Sequence, residues 1–382
     1  MRGFGLILLL LASCSDAPEA AKQPVPQAVK TAAIASPSPT PSPAAPAPVF
    51  VVQPGKIEGP MSLAFLPDGR MLVGLRDGGM VVRGADGGIT PLAGVPASEM
   101  MRDVAVMADG TIYFAYSEPQ SAGGYLALAR ATAGAAGFDQ VQVLWHGKRD
   151  KMDGSLAGAV AVSPDQRTLY LSGARQRWGP ATPPAQRPKG YHRPIVVYGS
   201  IVRLDLPAPD AGGLLALAEV RPSIVTTGHR NPLGLAIAAD GRLWEHEMGP
   251  KGGDELNLIV PGKDYGWPKV SNGDDYDGTI IPDHKPGDGF EPPLLFWNPS
   301  VSPAGFLLYS GKLFPEWRGS GFMGALSGRA VVRVTISGAS AAKADQWPMK
   351  TRIRDVAEAP DGAIWLVEDD TGEGGRLFRL GR

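Results

Sequence analysis

One pattern of apolar and polar positions recurs along most of the chain. It consists of an apolar run, a turn that contains aspartate, and a second run rich in aromatic and β-branched residues. In the first copy the apolar run at residues 63–66 is followed by the turn at Asp68 and by the run at residues 71–73. Further copies are centred on the turn residues Asp109, Asp165, Asp240 and Asp361. Because Asp-Gly between two alternating runs is a strong hairpin signal, these copies predict β-hairpins.

The spacing of the copies predicts how many units the fold contains. Successive turn aspartates are 41, 56, 75 and 121 residues apart, and the longest interval includes a further copy that begins at residue 304 and has a different turn. Repeats of roughly 40–50 residues with four strands are typical of propeller blades. We therefore predict an all-β fold, a six-bladed β-propeller of four-stranded antiparallel blades over residues 49–382. A jelly roll is the alternative, but it does not repeat at this period.

The first 14 residues have the features of a secretory signal. A basic start precedes an apolar stretch at residues 4–12, which is too short to span a bilayer. The stretch ends in Leu-Ala-Ser-Cys, which resembles the lipobox of bacterial lipoproteins, and Cys14 is the only cysteine of the chain. The resemblance implies lipidation at Cys14. Because Ser15 follows instead of aspartate, it also implies an outer-membrane location facing the periplasm.

Residues 15–48 have no hydrophobic periodicity and contain nine of the 37 prolines, with alanine, serine and threonine between them. Such a segment cannot bury enough apolar surface to offset the entropy of ordering it. We predict a disordered tether that holds the domain at residues 49–382 away from a membrane. No apolar run in the chain reaches the roughly 18 residues of a transmembrane helix.

Composition narrows the range of functions. The chain has 50 glycines and 37 prolines among 382 residues, which suits short strands joined by turns. Its formal net charge of −1 gives no support to a nucleic-acid partner or a polybasic membrane surface. A single cysteine excludes an internal disulfide and a thiolate metal cluster.

The densest chemistry lies between residues 227 and 268. Arg230 and Asn231 stand directly before a predicted strand, and the guanidinium group of arginine is suited to carboxylates. A Gly-Pro pair at residues 249–250 can present backbone carbonyls, and Asp254 and Glu255 follow it closely. Carbonyls and carboxylates together suit Ca²⁺. The alternative is that Asp254 and Glu255 only cap or salt-bridge a turn.

These segments resemble the PQQ-dependent soluble aldose sugar dehydrogenases, the glucose/sorbosone dehydrogenase family. The resemblance covers about residues 57–381 and rests on motifs that occur in the family's order. They read Gly-His-Arg-Asn-Pro from residue 228, Gly-Pro-Lys-Gly-Gly-Asp-Glu-Leu-Asn from 249, Tyr-Gly-Trp-Pro from 265, Pro-Ser-Val-Ser-Pro-Ala-Gly from 299 and Arg-Ile-Arg-Asp-Val from 352. The family's fold is a six-bladed propeller, which agrees with the repeat count.

The resemblance implies two cofactors, PQQ and Ca²⁺, and assigns residues to them. PQQ carries three carboxylates and an ortho-quinone. The residues expected to hold or polarise it are Arg230, Asn231, Asp254, Arg352 and Arg354. Of these, Arg230 would also act at the catalytic centre, and Asp254 would lie close by. The carbonyls of Gly249 and Pro250 would bind the Ca²⁺ that bridges to the cofactor. Glu255 and the backbone of Tyr265 would bind a second Ca²⁺.

Several positions depart from the family pattern. Ser155 stands where the family has the histidine that acts as general base, and Ala159 replaces an arginine of the same stretch. Met248 stands where the family usually has glutamine or histidine, Leu233 replaces a common glutamine, and Ser327 replaces a basic residue. These losses imply weakened or abolished sugar oxidation.

Two classes of function therefore remain. The first is a PQQ- and calcium-dependent oxidation of an aldose or related sugar outside the cytoplasm, with a small-molecule sugar as partner, an external electron acceptor and the lipid at Cys14 as the only membrane contact. The second is a non-catalytic propeller lipoprotein that retains cofactor or sugar binding or has a scaffold role.

Overall fold

The computed structural model describes residues 48–119, 126–134, 137–147, 157–174, 199–370 and 372–381, and these residues form six four-stranded antiparallel sheets. Cys14, the lipobox, nearly all of the proposed tether, and Ser155 lie outside the described residues. The helical content of the described residues is two short 3-10 turns, Leu217–Glu219 and Pro315–Trp317. None of the described helices is long and apolar enough to cross a membrane. The predicted all-β fold is confirmed.

The strands follow the chain from blade to blade. After β1 (Val51–Ile57), blade 1 consists of β2 (Pro60–Phe65), β3 (Met71–Leu75), β4 (Met80–Arg83) and β5 (Ile89–Pro91). Blade 2 consists of β6 (Met100–Val106), β7 (Thr111–Ser117), β8 (Leu126–Ala133) and β9 (Phe138–His146). Blade 3 consists of β10 (Val160–Val162), β11 (Thr168–Gly173), β12 (Ser200–Asp205) and β13 (Arg221–Thr227).

The second half of the ring is built in the same way. Blade 4 consists of β14 (Pro232–Ile237), β15 (Leu243–Glu247), β16 (Asp254–Leu258) and β17 (Leu295–Trp297). Blade 5 consists of β18 (Pro303–Leu308), β19 (Gly321–Ala325), β20 (Ala330–Ser337) and β21 (Ser340–Pro348). Blade 6 consists of β22 (Ile353–Glu358), β23 (Ile364–Glu368), β24 (Gly375–Leu380) and the N-terminal strand β1.

The ring closes because both ends of the domain contribute to blade 6. Strand β1 pairs antiparallel with β24, from Val51 opposite Arg379 to Ile57 opposite Gly375. The first strands of the six blades, β2, β6, β10, β14, β18 and β22, contact one another in sequence and β22 returns to β2. The predicted six-bladed propeller is therefore confirmed, and closure leaves no blade without a neighbour on either side.

The predicted hairpins join the first and second strands of their blades. In the first of them the N–H of Gly69 donates to the carbonyl of Leu66, and the side chain of Asp68 accepts from the N–H of Arg70 at 3.0 Å. Gly69 has a φ of 89°, a conformation that glycine adopts without strain. In the third copy, which lacks the glycine, Gln166 takes the positive φ instead, at 56°.

The second strands are buried on both faces, which explains their continuous apolar runs. Strand β7 is buried along its whole length. Leu72 of β3 packs in a cluster with blade 2, whereas its neighbour Val73 packs in a cluster with blade 6. Because side chains alternate between the two faces of a strand, each blade contributes to the core on both sides.

A central cavity of about 520 Å³ is lined by residues of all six first strands. Two aspartates line it, Asp355 buried and Asp103 partly buried, and each joins two blades. Asp103 of blade 2 accepts a hydrogen bond from the N–H of Val160 in blade 3 at 2.8 Å, and Asp355 of blade 6 accepts one from Leu63 in blade 1 at 2.6 Å. Burial raises the pKa of Asp103 to about 7, although the backbone donors oppose this shift.

The raised pKa of Asp103 predicts a specific pH dependence of stability. Since the folded protein holds this proton more tightly than the unfolded chain, the stabilisation is complete below about pH 4 and is lost as the pH rises through about 7. Between these limits Asp103→Asn should gain stability relative to wild type by at most about 4 kcal/mol. Urea unfolding across this pH range measures the difference.

The control is Asp86→Asn, a substitution at an exposed turn of blade 1. Its free energy of unfolding should run parallel to that of wild type. A constant difference between Asp103→Asn and wild type at every pH would contradict the prediction.

Candidate active site

The candidate site residues collect at one end of the blades. Because strands alternate in direction, the start of each first strand and the connection between the second and third strands lie at the same end, opposite the Asp-containing turns. Residues 228–231 precede β14, residues 248–253 connect β15 to β16, and Arg352 precedes β22. Blades 4 and 6 thus contribute most of the site.

Arg230 is held by the Gly-Pro loop and by two aromatic rings. Its Nη1 donates to the carbonyl oxygens of Met248 at 2.9 Å and Gly249 at 2.7 Å. Its Cζ lies 5.3 Å from the ring centre of Trp267 and 5.8 Å from that of Tyr276, within cation–π range. The loop therefore presents two converging carbonyl oxygens to a positive charge.

Glu247, which none of the sequence motifs had indicated, fixes the backbone of residues 229–231. Its Oε2 accepts hydrogen bonds from the N–H groups of Arg230 and Asn231, and its Oε1 lies 3.2 Å from Nδ1 of His229. The amide nitrogen of Asn231 lies 3.7 Å from the sulfur of Met248, and its buried Oδ1 has no hydrogen-bond partner among the described residues. That oxygen remains available to a ligand.

Asp254 serves as a positioning residue. One carboxylate oxygen accepts from the N–H of Gly249 at 3.0 Å, and the other accepts from the hydroxyl of Ser300 and the N–H groups of Val301 and Ser302 at 2.6–2.7 Å. Burial raises the pKa of Asp254, whereas these four donors lower it. The carboxylate joins the Gly-Pro loop of blade 4 to the segment that enters blade 5.

Three arginines meet on one carboxylate at the entrance of blade 6. Asp369 accepts hydrogen bonds from Arg76 at 2.9 Å, from Arg352 at 2.8 Å, and from two nitrogens of Arg354 at 2.7 and 3.0 Å. Burial disfavours ionisation of Asp369, but the charges of Arg354 and Arg352 outweigh it and hold the pKa below its usual value. Three positive charges against one negative charge leave a net positive site. Arg352 and Arg354 were predicted as PQQ-binding residues, whereas Arg76 and Asp369 were not predicted to take part in the site.

Glu255 and Tyr265 lie on the other side of blade 4. Glu255 projects from the face of β16 opposite to Asp254, accepts from the amide of Asn257 at 3.2 Å and is 6% exposed. Burial raises its pKa, and the charge of Glu247 adds to the effect. The Tyr265 hydroxyl donates to the carbonyl of Leu258 at 2.5 Å, and its ring stacks on His229. Tyr265 thus contacts His229, and Glu255 lies opposite Glu247 in the strand pair.

Ser327 departs from the family pattern, and His146 is the histidine nearest to Ser155 in the sequence; the structure places both. The Ser327 hydroxyl lies 2.8 Å from that of Ser302 and donates to the Ser300 carbonyl, beside Asp254. His146, a possible substitute base, ends the outermost strand of blade 2 and lies 3.1 Å from Glu118. It is therefore remote from the central cavity, which the first strands line.

The protein is a sugar oxidoreductase on a six-bladed β-propeller. The fold, the polar residues at one end of its blades and comparisons with known proteins define this class. The chain belongs to the glucose/sorbosone dehydrogenase family, whose model matches residues 57–379. It is 30% identical over 345 residues to the aldose sugar dehydrogenase YliI of Escherichia coli K12, covering 85% of this chain and 90% of the relative.

Two further likenesses agree with this assignment. A crystal structure of a glucose dehydrogenase superposes with a TM-score of 0.72 at 31% identity, covering 88% of this chain and all of that one. Quinoprotein glucose dehydrogenase B of Acinetobacter calcoaceticus is 27% identical over 284 residues, covering 56% of this chain and 59% of the relative.

Removing the charge of Asp369 tests the arginine cluster. Arg354 is 4% exposed, so Asp369→Asn leaves a buried guanidinium without its counter-charge. Breaking a buried ion pair costs roughly 3–5 kcal/mol, and because Arg76 and Arg352 are partly exposed we expect the lower figure. The free energy of unfolding, measured with urea, should fall by about 3 kcal/mol.

The control is Asp361→Asn in the same blade. Asp361 pairs with Arg379 at the surface, and such pairs contribute about 1 kcal/mol or less. Equal losses in the two variants would show that the cluster does not depend on Asp369.

Proposed function

We propose that the protein is a PQQ- and calcium-dependent dehydrogenase that oxidises an aldose or a related sugar outside the cytoplasm. The observation that carries this proposal is the net positive cluster of Arg76, Arg352 and Arg354 around Asp369. Family membership supports it, as do the names of the relatives, an aldose sugar dehydrogenase and a quinoprotein glucose dehydrogenase.

The arginine cluster fits a cofactor that carries three carboxylates. Arginine binds carboxylates through paired N–H groups. The side chains of Arg76 and Arg352 are 43% and 37% exposed, so both can turn part of their donors toward a ligand while Asp369 keeps them in place. Arg354 is buried and would contribute mainly its charge. The unpartnered oxygen of Asn231 supplies an acceptor in blade 4.

The Gly-Pro loop fits calcium. The carbonyls of Met248 and Gly249 already converge on a positive charge, the Arg230 guanidinium. Backbone carbonyls are among the hard oxygen ligands that Ca²⁺ takes. We propose that Gly249 and Pro250 bind one Ca²⁺ and that Glu255 with the Tyr265 carbonyl binds a second. Bound PQQ would supply a hydride acceptor, and the first Ca²⁺ would supply a Lewis acid for its quinone.

The chain's own residues must remove the proton from the sugar hydroxyl. A positioned general base contributes roughly 10²–10⁴-fold to such a step, and serine is not a base at neutral pH unless another group activates it. With Ser155 at the family's histidine position and His146 on an outer strand, we propose that sugar oxidation is slow and cofactor binding is retained.

A dye-linked assay on a panel of aldoses tests the function. Protein stripped with EDTA should reduce the dye only when both PQQ and Ca²⁺ are added back. Arg352→Gln should weaken PQQ binding by about tenfold or more, because it removes a charged donor to a carboxylate. Arg379→Gln, an exposed arginine of the same blade, is the matched control and should bind PQQ like wild type.

The same assay tests the missing base. We expect Ser155→His to raise the rate of aldose oxidation, by at most about 10²–10⁴-fold, with little change in PQQ affinity. Wild-type turnover equal to that of histidine-bearing relatives, with Ser155→Ala unchanged, would contradict this part of the proposal.

A non-catalytic propeller that keeps cofactor or sugar binding is the second candidate function. It is favoured by Ser327, whose hydroxyl bonds to Ser302 and Ser300 among the described residues, at a position where the family has a basic residue. PQQ binding without dye reduction on any sugar would support this function over the enzyme.

We also propose that the protein is lipid-anchored at Cys14 in the outer membrane, facing the periplasm. The short signal, the lipobox and the proline-rich segment support this location. Cys14→Ala should release the domain or leave an unprocessed precursor in membrane fractionation. Processing and membrane association identical to those of wild type would overturn the proposal.

A further inference from the structure

Four polar side chains share one face of the pair β15–β16. In the register of the two strands Glu247 lies opposite Glu255, and Glu245 lies opposite Asn257. Residues two apart on a strand point to the same side, so all four project together toward blade 3. His229, from the loop that precedes β14, packs onto them: its Nδ1 lies 3.2 Å from Oε1 of Glu247 and 3.8 Å from Oε2 of Glu245.

This cluster buries three carboxylates. Glu245, Glu247 and Glu255 are 0%, 3% and 6% exposed. Within the described part of the chain their ion-pair partners are imidazoles, those of His229 and His284, and neither lysine nor arginine pairs with them. Buried charges are costly unless a counter-charge compensates them, and like charges on directly opposed strand positions add to the cost. A Ca²⁺ at Glu255, as proposed above, would compensate one of the three carboxylates, so Glu245 and Glu247 call for a further cation.

Two buried acceptor atoms of this cluster lack a donor within the part of the chain that the structure describes. Oε1 of Glu245 and Oδ1 of Asn257 are buried and have no hydrogen-bond partner among the described residues. The Asn257 amide nitrogen donates to both Glu245 at 2.9 Å and Glu255 at 3.2 Å, so this side chain belongs to the cluster. A buried acceptor without a donor is expensive, and two of them beside one cluster point to a ligand.

His229 is held in a way that suits metal ligation. Its Nε2 lies 2.9 Å from the hydroxyl oxygen of Thr226. When Nε2–H donates to that hydroxyl, the lone pair of Nδ1 faces the carboxylates. A hydrogen bond from the second ring nitrogen is the usual way in which a ligating histidine is oriented.

We propose that His229, Glu245 and Glu247 bind one divalent first-row transition-metal ion such as Zn²⁺ in a buried site. One ligand atom from each of the three residues lies within 4.8 Å of the other two. Zinc bonds of about 2.0–2.2 Å to nitrogen and carboxylate oxygen place neighbouring ligand atoms roughly 3–4 Å apart, as the two His229 distances are. An imidazole donor distinguishes this site from the oxygen-ligated calcium sites proposed above.

Such an ion would stabilise the loop that carries Arg230 and Asn231. Glu247 would bind the metal through Oε1 while Oε2 continues to accept from the backbone N–H groups of Arg230 and Asn231. The ion would thereby fix the loop of residues 228–231 to β15. This role does not depend on whether the protein binds PQQ or oxidises sugars.

Metal content after refolding tests the proposal. The full-length protein is unfolded with chelator, refolded with Zn²⁺, Co²⁺, Ca²⁺ or no metal, and dialysed before its metal is measured by mass spectrometry. We expect one equivalent of Zn²⁺ or Co²⁺ per chain, no retention of Ca²⁺ at this site, and a higher Tm with Zn²⁺. Glu245→Gln should retain at least tenfold less Zn²⁺. Asp103→Asn, which removes a partly buried carboxylate from blade 2, should retain it like wild type.

A second measurement does not depend on a variant that folds. Crystals of wild-type protein refolded with Co²⁺ should give an anomalous peak within about 2.5 Å of Nδ1 of His229. The absence of this peak, or equal Zn²⁺ content in wild type and Glu245→Gln, would overturn the proposal. Failure of calcium to support dye reduction would affect only the proposed function.

Discussion

The pairing of β1 with β24 is the constraint on which the rest of this structure depends. The blades are buried on both faces, so a blade that lost one neighbour would expose a full layer of apolar side chains. Only a closed ring avoids this, and the ring closes when the strand at the N-terminal end completes the sheet made by the C-terminal end. The central cavity and the convergence of loops from blades 4 and 6 follow from closure.

The hairpins could be predicted because their causes are local. An Asp-Gly turn and the runs beside it lie within about a dozen residues, and the turn hydrogen bonds at Asp68 agree with the pattern. The copy at residue 304, with its different turn, is confirmed as β18 and β19. The place of β1 in blade 6 could not be inferred in this way, because its partner β24 lies at the far end of the chain.

The sequence motifs located the loops of the site, but they did not predict which contacts each side chain makes. Arg230 donates to the Gly249 carbonyl, a contact between two of the motifs that was not predicted. Asp254 was expected beside a ligand, yet both its oxygens accept hydrogen bonds from the protein, since the segment that begins blade 5 brings three donors to it. Asp369 and Arg76 were missed because they meet only when blades 6 and 1 become neighbours. The one available signal for Glu247 was the Glu-His-Glu run, an unusual sequence for a buried strand.

Strand β16 separates two groups of polar side chains, one on each of its faces. Its first residue, Asp254, binds the segment entering blade 5, and its second, Glu255, joins the carboxylates that face blade 3. Two acidic neighbours in the sequence are therefore not interchangeable, because the pleat of the strand sends them to opposite sides. A shift of one residue in the pairing of β16 would send each carboxylate to the opposite face, where neither would meet its hydrogen-bond partners. The fixed length of the loop from Gly249 to Gly253 is thus as much a requirement of this site as the identity of any residue in it.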